Sequence, residues 1–215
     1  MKIQFEKIEL AGPVGKLEAV IDSRTDSVDQ IYIAVCCHPH PQHGGAMGNK
    51  VIYTASRALA GLGITSIRFN FRGVGESQGE YADGIGEQDD LKAVVNWVKH
   101  QYPDRKLILC GFSFGAYITC LQAVKLNAAL LVSIAPPIGR IEFTGFGRPK
   151  SPWLVIQGDD DELVDAKRVA TWSGEYLPPA TLIQMPETSH FFHGKLVELR
   201  SHIELFVSHQ LMSKN

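Results

Sequence analysis

The sequence lacks the features of several protein classes. None of its apolar stretches reaches the roughly 18 residues that a membrane-spanning helix requires. The 215 residues contain no internal repeat, low-complexity tract or Ser/Gly/Pro-rich linker, so we expect one domain over residues 1–215. The first ten residues, MKIQFEKIEL, have no apolar core of the kind found in signal peptides. We therefore expect a cytoplasmic protein.

The sequence also has little excess charge of either sign and few cysteines. The formal net charge is −2, which gives no reason to expect nucleic acid or an anionic membrane as a partner, because both need a clustered basic surface. The four cysteines fall in apolar runs or in a helical stretch: Cys36, Cys37, Cys110 and Cys120. A disulfide framework would place cysteines in loops at higher density. We expect reduced, buried thiols.

Short apolar runs alternate with helical periods along most of the chain. The first 30 residues predict a hairpin with strands over 3–10 and 15–21 and a turn at 11–13. The apolar runs that follow are 31–37, 64–71, 106–112, 128–135, 152–158 and 181–185. Helices are predicted at about 49–61, 86–101, 114–125, 165–177 and 194–210.

This alternation predicts an α/β fold with a mostly parallel sheet that is covered by helices on both faces. In such sheets the functional groups gather at the carboxyl ends of the strands. The polar clusters of this sequence lie at those positions. A catalytic site is therefore expected in the loops that follow the strands.

The run KLILCGFSFGAYITC places a G-x-S-x-G pentad, residues 111–115, between a predicted strand and a predicted helix. A strand that turns sharply into a helix leaves the central Ser113 on strained backbone with its hydroxyl directed at substrate. Glycines are needed on either side because side chains would clash there. The backbone N–H of Phe114, at the start of the helix, is a candidate oxyanion donor. An ordinary strand-to-helix turn is the alternative interpretation.

A serine nucleophile needs an acid and a base later in the chain. The run 152–158 is followed by four consecutive carboxylates, of which most are expected to cap the next helix and Asp161 is our candidate. Asp160 and Asp165 remain alternatives. After the last predicted strand, His190 and His193 compete for the base, and His190 is favoured because it lies nearer the strand exit.

The segment after the run 31–37 contains three histidines, His38, His40 and His43, with prolines between them. Because prolines have no N–H, the His40 amide is the candidate second oxyanion donor. Gly44 and Gly45 would let this loop approach substrate closely. A zinc site is the alternative, but no Cys or acidic residue joins the cluster, and a histidine-lined pocket wall that includes His38 is preferred.

Five segments together resemble the small bacterial α/β-hydrolases, which are predicted serine hydrolases near the dienelactone hydrolase-like and acyl-peptidase-like branches. They are HPHPQHGGAMGNKVIYTASRALAGLG, FNFRGVGESQG, GFSFGAY, GDDDELV and SHFFHGK, and the resemblance spans roughly residues 30–195. It implies a sheet of about eight strands, with Ser113 as nucleophile, Asp161 as acid and His190 as base. It also implies that Arg72 helps to shape the pocket. Two departures are Gln157, where many relatives have His, and Ser113 itself, where dienelactone hydrolases have Cys.

These residues predict a serine hydrolase of the carboxylesterase type that cleaves small esters or thioesters without a cofactor or metal. The segment 136–152 is too short for a helical lid, although Phe143 and Phe146 could line the site. A peptidase or amidase on the same triad is the first alternative, and a non-catalytic scaffold that binds a partner is the second. The sequence leaves a homodimer open.

Overall fold

Eight strands form one sheet in the computed structural model of the chain, which describes residues 2–26, 31–143, 147, 149–176 and 178–212. The strand order is β1-β2-β4-β3-β5-β6-β7-β8. The strands are β1 (Ile3–Gly12), β2 (Gly15–Arg24), β3 (Tyr32–Cys37), β4 (Thr65–Phe69), β5 (Lys106–Phe112), β6 (Leu130–Ile134), β7 (Trp153–Gly158) and β8 (Thr181–Met185). Strands β3 to β8 are parallel, and β1 and β2 form an antiparallel hairpin at one edge.

Five α-helices cover both faces of this sheet. They are α1 (Lys50–Gly61), α2 (Ile85–Gln101), α3 (Phe114–Ala123), α4 (Ala166–Gly174) and α5 (Leu196–Met212). Apolar residues of α1 and α5 join the core on one face, and those of α2, α3 and α4 join the core on the other. The predicted α/β fold with about eight strands and helices on both faces is confirmed.

The buried strands contribute to both cores because successive side chains point to opposite faces. In β3, for example, Ala34 and Cys36 belong to the core beneath α1 and α5, whereas Val35 and Cys37 belong to the other. This explains why the central strands are continuously apolar and why their sequences show no alternation. All four cysteines are free and buried.

The hairpin turn lies later in the chain than the sequence suggested. Gly12 pairs with Gly15, so that only Pro13 and Val14 form the connection. The predicted turn at 11–13 is therefore wrong, because Ala11 still pairs with Lys16 in the ladder. The glycine after the turn has a φ of 132°, a conformation that side chains rarely adopt.

Polar side chains mark the beginnings of two helices that flank the carboxyl edge of the sheet. Asn49 Oδ1 accepts the Val51 N–H before α1, and Asp165 Oδ1 accepts the Lys167 N–H before α4. Between β6 and β7, none of the described residues is helical. Among the described residues, no helix combines the length and apolar character needed to span a bilayer.

Candidate active site

Three loops at the carboxyl edge of the sheet bring one hydroxyl, one imidazole and one carboxylate together. Ser113 follows β5, Asp161 follows β7 and His190 follows β8. His190 Nε2 lies 3.1 Å from Ser113 Oγ, and His190 Nδ1 lies 2.8 Å from Asp161 Oδ2. The three residues that the sequence singled out thus form one continuous hydrogen-bonded chain.

The backbone of Ser113 is strained, with φ 52° and ψ −116° at the start of α3. The two pentad glycines permit this turn because no Cβ fits at either position. A Cβ on Gly111 would collide with the Gly115 carbonyl, and one on Gly115 would collide with the carbonyl of Cys37 at the end of β3. The strain therefore serves to present the hydroxyl where the three loops meet.

The Asp161 carboxylate accepts four hydrogen bonds. Oδ2 accepts from His190 Nδ1 and Gln157 Nε2, and Oδ1 accepts from the backbone N–H groups of Leu163 and Val164 at 2.8 Å each. Burial opposes ionisation of this group, but the hydrogen bond and charge of His190, the Leu163 amide and Gln157 outweigh it and lower the pKa of Asp161. The carboxylate is thus held ionised beside the imidazole.

The alternative residues do not occupy the site in this way. Asp165 caps α4, and Asp160 donates its backbone N–H to the Thr188 carbonyl. His193 is exposed and its ring packs beside Phe191, whereas His190 is buried. The structure therefore joins Ser113 to His190 and Asp161 and places the other candidates in local structural roles.

Three further contacts help to fix the position of the imidazole. The ring of His190 packs against Phe112 with centroids 5.2 Å apart and lies perpendicular to Phe191. Its backbone N–H donates to Glu162 Oε2 at 3.0 Å. Glu162, one of the four consecutive carboxylates, was not singled out by the sequence, and it ties the loop after β8 to the loop after β7.

Gln157 is a second residue whose role the sequence did not reveal. It is fully buried at the end of β7, and its Nε2 lies 2.8 Å from the same Asp161 oxygen that His190 contacts. The available signal was a single amide in an otherwise apolar strand. Gln157, which stands where many relatives have His, thus donates a hydrogen bond to Asp161.

We expect Gln157→Leu to lower kcat for ester hydrolysis about tenfold with little change in KM. The reason is that Asp161 loses a neutral donor that helps to orient it, while Ser113 and His190 stay the same. Measuring kcat and KM for Gln157→Leu and Gln157→Asn on one p-nitrophenyl ester tests this. An increase in KM at constant kcat would contradict a positioning role.

A cavity of about 370 Å³ opens beside the three residues, a size that suits a small ligand. Ser113 and His190 both line it. The apolar side chains among the described lining residues are those of Pro39, Phe114, Pro137, Ile141, Leu163, Val164 and Phe191. The polar part includes His40, His43, Asn49 and Arg140.

The two residues predicted to supply oxyanion donors lie at this cavity. The rings of His40 and Phe114 are 5.0 Å apart, and both residues line the cavity that contains Ser113. The Phe114 N–H belongs to the first turn of α3, where amides have no partner within the helix. The His40 carbonyl accepts the N–H groups of His43 and Gly45, which curls the loop back on itself.

Three of the predicted pocket-wall residues do not line this cavity, and the prediction is wrong for them. His38 is fully buried and donates from Nδ1 to the Pro39 carbonyl, while its Nε2 accepts the Phe71 N–H. Arg72 forms a buried bidentate ion pair with Asp90 of α2. Phe143 packs against Tyr117 and Trp172. Phe146 lies outside the described residues.

His38 anchors the loop that carries His40. Burial lowers the pKa of His38 to about 4, so the ring stays neutral at higher pH and can accept the Phe71 N–H. The ring of His40, in the same loop, packs against the ring of Tyr81 with centroids 5.1 Å apart. Over the described residues, no group of three His, Cys, Asp or Glu side chains is arranged to hold a metal ion.

A model of a known protein family matches half of the chain. Residues 40–147, which include the serine pentad, match the model of the family described as Serine aminopeptidase, S33. The chain belongs to this family of α/β serine hydrolases. It is 47% identical to an α/β serine hydrolase without a lid from Xanthomonas campestris, XC6422, with a TM-score of 0.92 over 96% of this chain and 95% of that one.

Two further family relatives are similar over most of this chain. An α/β serine hydrolase homologue from Coxiella burnetii is 44% identical, with a TM-score of 0.88 over 93% of this chain and 95% of that chain. An uncharacterised protein of Rickettsia prowazekii is 36% identical over 169 residues, which are 76% of this chain and 70% of the relative. The α/β serine hydrolase fold is therefore shared with bacterial proteins.

Proposed function

We propose that the protein is a serine hydrolase that cleaves small carboxylic esters or thioesters through an acyl-enzyme on Ser113. The observation that carries this proposal is the continuous chain from Ser113 Oγ through both ring nitrogens of His190 to Asp161 Oδ2. A serine hydroxyl alone is a poor nucleophile at neutral pH, and an imidazole within hydrogen-bond distance removes its proton during attack.

In the proposed reaction, His190 Nε2 accepts the Ser113 proton as Oγ attacks the ester carbonyl. The imidazolium then protonates the leaving alcohol or thiol, and an acyl-enzyme remains on Ser113. A water molecule that His190 deprotonates attacks this acyl group and releases the acid. Asp161 holds the proton on Nδ1 and stabilises the imidazolium. These steps use only side chains, backbone groups and water.

The backbone N–H groups of Phe114 and His40 are the proposed oxyanion donors. Both residues line the cavity beside Ser113. The loop that carries His40 is held by the buried His38, which hydrogen-bonds to the Pro39 carbonyl and to the Phe71 N–H. A donor that is aimed at the developing negative charge contributes about 3 kcal/mol of transition-state stabilisation. The anchoring of His38 supports a preorganised donor because the loop needs no rearrangement during the reaction.

Labelling with a fluorophosphonate probe tests whether the serine is reactive. Such probes form a stable adduct only with an activated serine, so we expect one adduct on the wild-type chain, located at Ser113 by peptide mass spectrometry. The Ser113→Ala variant is the matched control and should show none. Failure of the folded wild-type chain to react would favour a non-catalytic scaffold that binds a partner.

A peptidase or amidase on the same side chains is the second candidate, and the description of the matched family as a serine aminopeptidase favours it. A panel of p-nitrophenyl esters, acyl thioesters and aminoacyl anilides separates the two activities. Ester or thioester turnover that exceeds anilide turnover at matched acyl groups supports the esterase. The reverse order supports the peptidase.

We also propose a cytoplasmic location. Cys36 and Cys110 are register partners on the adjacent strands β3 and β5, yet both are free thiols. A few cysteines that are buried in strands, in place of a dense disulfide framework in loops, are characteristic of proteins of a reducing compartment.

A further inference from the structure

The charged groups of the substrate cavity are unbalanced. None of the described residues that line the cavity is an aspartate or a glutamate, whereas Arg140 carries a permanent positive charge. Burial and the nearby His43 lower the pKa of His40, which leaves its imidazole neutral near pH 7. As far as the structure describes it, the cavity wall thus has one permanently charged cation, Arg140, and no acidic side chain.

Arg140 is held over the cavity by a tight turn after β6. Its backbone N–H and that of Ile141 both donate to the Pro137 carbonyl, and Gly139 has a φ of 80°. Pro137, Arg140 and Ile141 all line the cavity. The turn therefore fixes the origin of the arginine side chain at the cavity wall.

The guanidinium reaches from this turn to the loop that follows β7. Its Nη1 donates to the Leu163 carbonyl at 3.3 Å, and Leu163 is also a lining residue. Within the described ranges no carboxylate forms an ion pair with Arg140, unlike Arg72, which is neutralised by Asp90. A guanidinium has five N–H donors in a planar fork, so most of them remain for a ligand or solvent.

We propose that Arg140 binds an anionic group of the substrate, so that the preferred substrates are small esters or thioesters that carry a carboxylate or a phosphate. The inference rests on the proposed function and narrows its substrate class. A planar fork of N–H donors pairs with a carboxylate or phosphate through two parallel hydrogen bonds. The apolar residues Ile141, Leu163 and Val164 line the same cavity and can contact the hydrocarbon between the anion and the scissile carbonyl.

Matched ester pairs test this proposal on the whole chain. One arm compares p-nitrophenyl hemiglutarate, which has a carboxylate on its acyl group, with p-nitrophenyl hexanoate. The other compares butyryl-coenzyme A, which has phosphates on its leaving group, with S-butyryl-N-acetylcysteamine. We expect kcat/KM to favour the anionic member of one pair at least about tenfold in low salt, and 0.5 M NaCl to reduce that preference.

Variants at position 140 assign the preference to the arginine. Arg140→Gln should reduce the preference for the anionic member at least about tenfold through KM, and Arg140→Lys should retain part of it. Arg168→Gln is the matched control, because the Arg168 guanidinium lies beside Gly139 but does not line the cavity. This control should keep the wild-type preference.

The two possible failures are distinguishable. In the first, the chain hydrolyses the neutral esters in a Ser113-dependent way but shows no preference for the anionic members, or Arg140→Gln keeps that preference. This result would overturn the role of Arg140 and leave the proposed function intact. In the second, the chain shows no Ser113-dependent hydrolysis of any of the four substrates. This result would overturn both the role of Arg140 and the proposed function. A preference that depends on Arg140 in either arm supports the inference and locates the anion on the acyl or leaving group.

Discussion

Replacing Ser113 with alanine is expected to lower kcat/KM for a short-chain ester by about 10⁴-fold or more. The hydroxyl oxygen of Ser113 is the proposed nucleophile, and no other described residue that lines the cavity carries a hydroxyl group. The melting temperature should stay within a few degrees of the wild-type value, because Oγ makes its hydrogen bond only with His190 among the described residues. Initial rates and thermal unfolding, measured on the same preparation, check both parts.

Ser201→Ala is a suitable control, since its hydroxyl lies on the exposed face of α5 and donates only to the Val197 carbonyl. We expect this control to keep full activity. Activity of Ser113→Ala within tenfold of the wild type would place the nucleophile elsewhere and remove the basis of the mechanism.

Loss of the imidazole should have an effect of similar size. His190→Ala is expected to lower kcat/KM by about 10⁴-fold or more, whereas His193→Ala should keep most of the activity. His190 contacts both Ser113 and Asp161, but His193 is exposed and contacts Phe191. Kinetics of the two variants on one ester make the comparison.

A second variant protects this comparison from a folding defect. His190 is buried between Phe112 and Phe191, so its truncation to alanine removes packing as well as the base. His190→Gln keeps more of that volume and should be equally inactive, with unfolding temperature as the check. A larger loss of activity in His193→Ala than in either His190 variant would show that the base has been misassigned.

The sequence predicted the sheet well because its strands are buried on both faces. The runs 106–112 and 181–185 match β5 and β8 to the residue, and the other predicted strands of the parallel part differ by one to two residues at their ends. Strands covered by helices on both sides read as uninterrupted apolar segments. The hairpin was less well defined because β1 lies largely exposed at the edge, where composition specifies strand length weakly.

The positions of Ser113, Asp161 and His190 could be inferred because strand exits in a parallel sheet share one edge. The residues around these three could not be inferred, because their roles depend on contacts with residues that are distant in the sequence. Arg72 was expected at the pocket, but its partner Asp90 lies 18 residues later on α2 and turns the guanidinium inward. Gln157 and Arg140 carry no local motif, and only the folded arrangement shows what they contact.

The hydrogen-bonded chain joins the middle of the sheet to its margin. Ser113 follows β5, which has a strand on either side, whereas His190 follows β8, which has a neighbour on one side only. Proteins open first where the fewest buried contacts must be broken. A brief separation of β8 from β7 would withdraw the imidazole while the serine turn kept its shape. We therefore expect catalytic activity to depend on the pairing of β8 with β7. On heating, activity should be lost at a lower temperature than the one at which the central strands unfold.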